Sequence, residues 1–181
     1  MIKKLLDNIY LVAGLWAAFL AFGLFLFNYS VYPNLKALSK GMDLPEEIFG
    51  PTWDYQTVFL DQIGEAGVAQ YVQFQWLDFV NALLLGLVLS TTIYLILTKL
   101  EAKKFFFVVA AVPLAATLFD FVENGLMIAN IGNLPNLDKG LSALYMWMTR
   151  IKLLLGTVSF LILLTCIVGF GVTILGKRFK K

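Results

Sequence analysis

Asp120-Phe-Val-Glu123-Asn124 puts two carboxylates and an amide into an apolar run that extends from Phe105 to Ile131. At helical spacing, Thr117, Asp120, Glu123, Asn124 and Met127 share one face. A second face of the same kind carries Tyr71, Gln75, Asp78 and then Asn81 or Ala82, in the run that begins near Val68 and ends at Leu97. A carboxyl group moved from water into apolar surroundings holds its proton more tightly. The chemistry open to such a group is proton donation and acceptance, or capture of a polar group.

Acids in so apolar a run need partners. On the insertion scale each Leu, Ile, Phe or Val near a helix centre contributes about −0.3 to −0.6 kcal/mol, and a central Asp costs about +2.5 to +3.5. For the segment 105–131, with Asp120 and Glu123 inside it, the balance is near zero. It is expected to hold its place through neighbouring helices that carry groups answering the two acids. Arg150 and Lys152, early in the last apolar run, are the cations at hand. They lie about 200° apart around a helix, so one faces the bundle and the other reaches outward. A guanidinium bridges two carboxylates with a fork of donors, whereas an ammonium is a single point. That favours Arg150 as the inward partner and leaves the reverse, Lys152 inward, open.

The elements that must position these residues follow from composition. With 60% hydrophobic and 14% charged residues among 181, the chain lies outside the soluble range. It reads as an all-α membrane protein, one integral domain over 1–181, built as a four-transmembrane-helix up-down bundle. The expected spans are about 9–31, 68–98, 105–131 and 141–176. The first is longer than a signal-peptide core and no small-residue cleavage pattern follows it, so it reads as an uncleaved helix. Pro113 is expected to kink the third span. Ser90, Thr91 and Thr92 are expected to bond back to carbonyls of their own helix.

The segment 32–67 is the only long polar one. Lys36 and Lys40 are outnumbered there by Asp43, Glu46, Glu47, Asp54, Asp61 and Glu65. Pro45-Glu46-Glu47 and Pro51-Thr52 look like helix starts, and Thr52 suits the N-cap of a short amphipathic helix ending near Gly64. Trp53, Val58, Phe59 and Ile63 would form its apolar face, resting on the bundle or the headgroups, with a lid over a pocket as the alternative. Lys3 and Lys4, the loop with Lys99, Lys103 and Lys104, and the terminal Lys177, Arg178, Lys180 and Lys181 carry the basic charge. The positive-inside rule then puts both termini in the cytoplasm and 32–67 outside. Asp78, Asp120 to Asn124, Arg150 and Lys152 fall at similar depth, in the outer-leaflet half.

The sequence has no histidine, which removes His-ligated metal and His general bases, and no metal or other cofactor is expected. Cys166 is the single cysteine. Walker and Rossmann glycine patterns are missing, and the net charge of +2 gives nucleic acid no hold.

With the short helix ending at Gly64, then Tyr71, Asp78 and Gly86, then Asp120-x-x-Glu123-Asn124, the stretch 50–170 resembles a group of small, mostly bacterial four-helix integral membrane proteins with an Asp-x-x-Glu-Asn third helix. The chain departs from that pattern at Asn81-Ala82, where the group often has Phe-Pro. The resemblance implies that Asp78, Asp120, Glu123 and Asn124 belong to one site, and it implies no substrate.

Three carboxylates against one well-placed cation leave acid in excess. The leading expectation is therefore a site that binds or processes a lipid or small amphiphile, with the cluster as the floor of a cavity open to the outer side and Tyr71, Trp76, Tyr145 and Trp147 around it. Whether it acts as a binder or an acid–base enzyme is open. The alternative is a structural or accessory subunit whose polar cluster only fixes helix packing. A proton-coupled transporter ranks below both, because there are few helices, no internal repeat and no matching acid in the inner half. The expected partners are membrane lipids, with a second copy or another membrane protein possible. The expected location is a bacterial cytoplasmic membrane, crossed several times.

Overall fold

The computed structural model describes residues 8–178, which are helical with no strand among them. Lys3, Lys4, Lys180 and Lys181 and the side chains of Lys177 and Arg178, used above to orient the chain, lie outside what is described. Helix α1 (Ile9–Tyr29) starts at Asn8, whose side chain accepts a 3.0 Å bond from the Tyr10 amide. Helix α2 (Tyr32–Leu38) follows a break at Ser30, whose hydroxyl donates to the Leu26 carbonyl and accepts from the Tyr32 amide. A 3₁₀ turn, Pro45–Glu47, lies between α2 and the long helix α3 (Trp53–Lys99).

Thr52 caps α3, its hydroxyl accepting from the Tyr55 amide at 3.3 Å. At Gly64 the backbone (φ 66°, ψ 178°) leaves helical geometry and divides α3 into a short arm, 53–63, and a long arm, 65–99. A positive φ of this kind costs glycine little. Gly67 serves the same bend, since a Cβ there would sit 2.6 Å from the Ile63 Cβ. The short helix from Thr52 to Gly64 is therefore present, and the span expected to begin near Val68 begins directly after the bend. On the short arm Phe59 and Ile63 turn inward as expected, but Val58 is exposed, and Gln56 and Leu60 take the inward face.

A 3₁₀ stretch, Lys104–Ala111, leads into α4 (Val112–Ile131), and α5 (Lys139–Arg178) closes the chain. The expected kink at Pro113 is not how the chain uses this residue. Pro113 sits in the first turn of α4, where its missing N–H breaks no helical bond. Four helical stretches among the described residues are long and apolar enough to cross a membrane: Ile9–Leu38, Trp53–Lys99, Lys104–Ile131 and Lys139–Gly176.

Helix α3 is the centre, packing on α1, α2, α4 and α5, while α4 and α5 make the most extensive pair. The crossing of α3 and α4 is close because Gly86 meets Thr117, and a Cβ on Gly86 would collide with the Thr117 Oγ1. That hydroxyl donates to the Ala82 carbonyl at 3.0 Å. Small residues that let backbones approach are the usual means of packing helices in a bilayer, where apolar side chains gain nothing by leaving lipid. Helix α1 buries only Val12 and Leu26 and leaves Leu20, Leu24 and Phe25 exposed, as befits a helix facing acyl chains. Trp16 ties it to α3 through a 3.0 Å bond to Thr92. Thr91 and Thr92 bond back to Leu87 and Val88 as expected, whereas the Ser90 hydroxyl, though buried, has no partner.

Candidate functional site

The polar faces anticipated on α3 and α4 do meet, and α5 closes the third side. Asp78 is the junction on α3. It accepts one bond from Asn81 Nδ2 at 3.3 Å on its own helix and another from Asn124 Nδ2 at 3.1 Å across on α4. Asp120, one turn from Asn124, is a close neighbour of the Asp78 carboxyl. Glu123 is fully buried, and its two oxygens are answered from α5: Thr149 donates to Oε1 at 3.0 Å, and Lys152 Nζ lies 2.6 Å from Oε2. The same ammonium is 3.7 Å from Asp120 Oδ1.

Lys152, and not the favoured Arg150, is therefore the inward cation. The reason lies in the periodicity of α5. Ser142, Tyr145, Thr149, Lys152 and Ser159 follow at steps of three, four and seven, and this face is the one turned into the bundle. Arg150 points away. Its guanidinium stacks over Trp147 at 4.9 Å and near Phe49 at 6.0 Å, and passes so close under Gly50 that a Cβ there would collide with its Nε. Gly50 also has φ +80°, so both its conformation and its contact require glycine. Arg150 holds the 48–51 turn against α5 and does not touch the acids.

On the side of the 39–52 segment the cluster is covered. Glu46, carried on the Pro45–Glu47 turn, reaches inward until only 7% of it is exposed, and accepts a 2.5 Å bond from the Tyr71 hydroxyl. Burial pushes the Glu46 carboxyl up to about 8, with the Tyr71 bond and the charge of Lys152 pulling the other way. Tyr71 and Tyr145 are both fully buried, hydroxyl beside hydroxyl. Gln75, a turn from each of Tyr71 and Asp78, is also fully buried and has no partner for its amide oxygen or nitrogen. Trp76 and Trp147, expected near the acids, are 61% and 54% exposed and face outward.

The cavity that the acids border lies on the other side of the cluster from the one expected. It occupies about 290 Å³ between α3, α4 and α5, toward the 100–103 loop. Asp120 and Lys152 are its only charged walls. Leu85, Leu89, Leu153 and Phe160 are the large apolar walls, Thr117, Thr157 and Ser159 bring hydroxyls, and Gly86 and Gly156 make room. The cluster thus forms one end of an apolar crevice, while Glu46 and its turn plug the opposite face.

Tyr71, Gln75, Asp78, Asn81, Asp120, Glu123, Asn124 and Lys152 are thus assembled in one region, and Arg150 is outside it. Tyr145, expected beside the acids, is in the region too, while Glu46 and Thr149 belong to it without having been singled out. For Thr149 the signal was present, since Tyr145, Thr149 and Lys152 stand at helical spacing. The chain matches no protein-family model, no curated protein and no solved structure. Its likeness to small four-helix membrane proteins rests on the Asp120-x-x-Glu123-Asn124 residues and their neighbours alone.

Proposed function

We propose that the protein binds a small amphiphile from the bilayer, with the polar end of the ligand at Asp120 and Lys152 and the apolar part in the crevice between α3, α4 and α5. One observation carries this reading: a cavity of about 290 Å³ whose walls are mostly apolar, with the hydroxyl residues Thr117, Thr157 and Ser159 among them and a single pair of opposite charges at one end. Its volume is near the lower limit for small-molecule pockets, which suits a single chain better than a two-chain lipid. Lys99, Lys103 and Lys104, all exposed at the other end of the bundle, support our reading that this loop is cytoplasmic and that the acidic site lies in the outer-leaflet half of a bacterial cytoplasmic membrane. Binding requires no bond to be broken, and the acids remain available as proton donors if chemistry follows.

A structural role for the cluster is the second reading, and Glu123 favours it. Both of its oxygens are engaged in full burial, which is how a polar residue fixes the register of packed helices. Asp120, on the cavity wall, is the residue that this role leaves unexplained.

The test is photolabelling with a single-chain diazirine amphiphile, followed by mapping of the labelled peptides. Label on 82–89, 113–120 and 152–160, lost in Gly156→Phe, is the expected result, because Gly156 faces open space in the crevice. Label confined to the exposed face of α1, with Gly156→Phe indifferent, would overturn it.

A further inference from the structure

Of the carboxyls between α2 and α3, Glu46 alone leaves the surface. Asp43 and Glu47 stay exposed, where both meet Lys36 and Glu47 also accepts from the Tyr32 hydroxyl. The Pro45–Glu47 turn sends Glu46 the other way, onto α3. There the Tyr71 hydroxyl is the one side chain that donates to it, at Oε2, and Oε1 is buried with no partner. A neutral carboxyl is tolerable in that position. A buried carboxylate requires more donors than this.

The charges around Glu46 do not make up the difference. Tyr71 and Asp78 face it from α3, Tyr145 and Lys152 from α5, and Tyr32 from α2, while Glu123 of α4 faces the same pair, Tyr71 and Tyr145. Lys152 is committed to Glu123 at 2.6 Å, and Asp78 brings like charge. Two more cations border the segment, but Lys36 is bonded to Asp43 and Glu47, and Arg150 is stacked on Trp147.

The backbone of the turn is self-contained. Its Glu47 and Ile48 amides bond back to Leu44 and Pro45, so lifting it breaks no backbone bond to a neighbouring helix. Lys40 and Gly41 before it and Gly50 after it hold positive φ, so the chain changes direction on both sides. One helical turn beyond Tyr71, Gln75 is fully buried with neither amide atom paired, and water reaching it would find both a donor and an acceptor.

We propose that the Pro45–Glu47 turn is a pH-operated latch, seated on Tyr71 while Glu46 is neutral and withdrawn when Glu46 ionises, so that water is admitted to Tyr71 and Gln75 from the 39–52 side. The latch works whatever the crevice binds. Burial pushes the Glu46 carboxyl up to about 8, so the turn is seated at neutral pH and released as pH rises through that value. The seated state holds the proton more tightly than the withdrawn one. Above about 8, each further pH unit therefore favours withdrawal about ten-fold.

Two measurements on the full chain in phosphatidylcholine nanodiscs test it. The first is hydrogen–deuterium exchange read as protection factors, so that base catalysis of exchange cancels. Protection of the Glu47 and Ile48 amides is expected to be about ten-fold lower at pH 9 than at pH 7, with the 113–130 amides of α4 unchanged. Glu46→Gln, which stays neutral, is expected to remove the difference, and Tyr71→Phe to lower protection at both values. The second is the rate at which the water-soluble thiol reagent MTSET modifies Gln75→Cys in a Cys166→Ala chain, divided by the rate with Glu46→Gln added, so that thiol ionisation cancels. That ratio is expected near one at pH 7 and about ten at pH 9. Protection that is the same at both pH values, an equal drop in Glu46→Gln, a matching loss across α4, or a ratio of one at pH 9 would each overturn the latch.

Discussion

The half of the bundle next to the 39–52 segment and the half next to the 100–103 loop share helix α3 but differ in what is added to apolar packing. In the first, an apolar cluster that includes Leu44, Phe59, Phe74 and Met127 is joined by directional contacts of Glu46, Tyr71, Asp78, Asn124, Glu123, Thr149 and Lys152 across four segments of the chain. In the second, Leu89, Ile93, Leu97, Ala110, Leu163 and Cys166 form an apolar cluster. Within a bilayer the apolar half gains little from burial, since lipid is as apolar as leucine, and it is held by close packing. The polar half has no acceptable alternative to its own partners. Specificity of assembly is therefore concentrated at one end, and the cavity lies where the two regimes meet.

The sharpest way to break this comparison is Lys152→Met. It leaves Glu123 buried opposite no cation, and the loss of one member of such a pair costs about 3–5 kcal/mol. Thermal unfolding in detergent should show a large drop, while Arg150→Met, which removes only stacking on Trp147 and Phe49, should drop much less. A larger effect at Arg150 would reverse the assignment of the inward cation.

Next in size is Gly86→Ala, where the new methyl collides with Thr117 Oγ1 and overpacking costs about 1–3 kcal/mol. The double variant with Thr117→Ala should recover most of that loss in the same melting assay. Full additivity would show that the crossing is not where the strain falls.

Tyr71→Phe removes the donor to Glu46 and should cost about 1–3 kcal/mol. The pH dependence is a separate test of the same contact. Glu46 faces Tyr71 and Asp78 on α3 and Lys152 on α5, and burial raises its carboxyl from the usual 4.5 to about 8. The folded state then holds this proton more tightly than the unfolded one. The contribution is complete below about 4.5 and is lost as pH rises to about 8, so stability should fall across that window. Glu46→Gln, which stays neutral, should give a shallower slope over the same range, and an unchanged slope would mean that Glu46 is not the group responsible.

The smallest effect belongs to the apolar half. Ile93→Val should cost about 0.5–1.5 kcal/mol, at the low end because only packing is lost, and equally at every pH. A pH-dependent loss there would mean that the two halves are not separable.

What could be read without coordinates followed periodicity. Asp78, Asp120, Glu123 and Asn124 were legible because each lies on a regular helical face inside an apolar run, and Thr52 to Gly64 because its cap and its terminating glycine are local signals. Lys152 was legible too, as the member of the Tyr145–Thr149 face. Arg150 was preferred on the chemistry of its head group, and that preference ignored which way the helix turns it. Glu46 was not legible. Its depth depends on how the 39–52 segment folds back over α3, and no repeat in the sequence encodes that. The position of the cavity beside Asp120 was not legible for the same reason, because the fold of the 39–52 segment decides which face of the cluster is covered.

The contact between α4 and Lys152 also has an order in time. The ribosome makes Asp120 and Glu123 before it makes their cation, and α4 enters the membrane as a helix whose own insertion balance is near zero. Only when α5 follows, across the short turn closed by Asn130 on the Asp138 amide and Ser142, does the ammonium arrive. A chain truncated before Lys152 should therefore leave α4 poorly retained in the bilayer, and retention restored by extending it through Lys152 is the expected mark of the two helices entering as one unit.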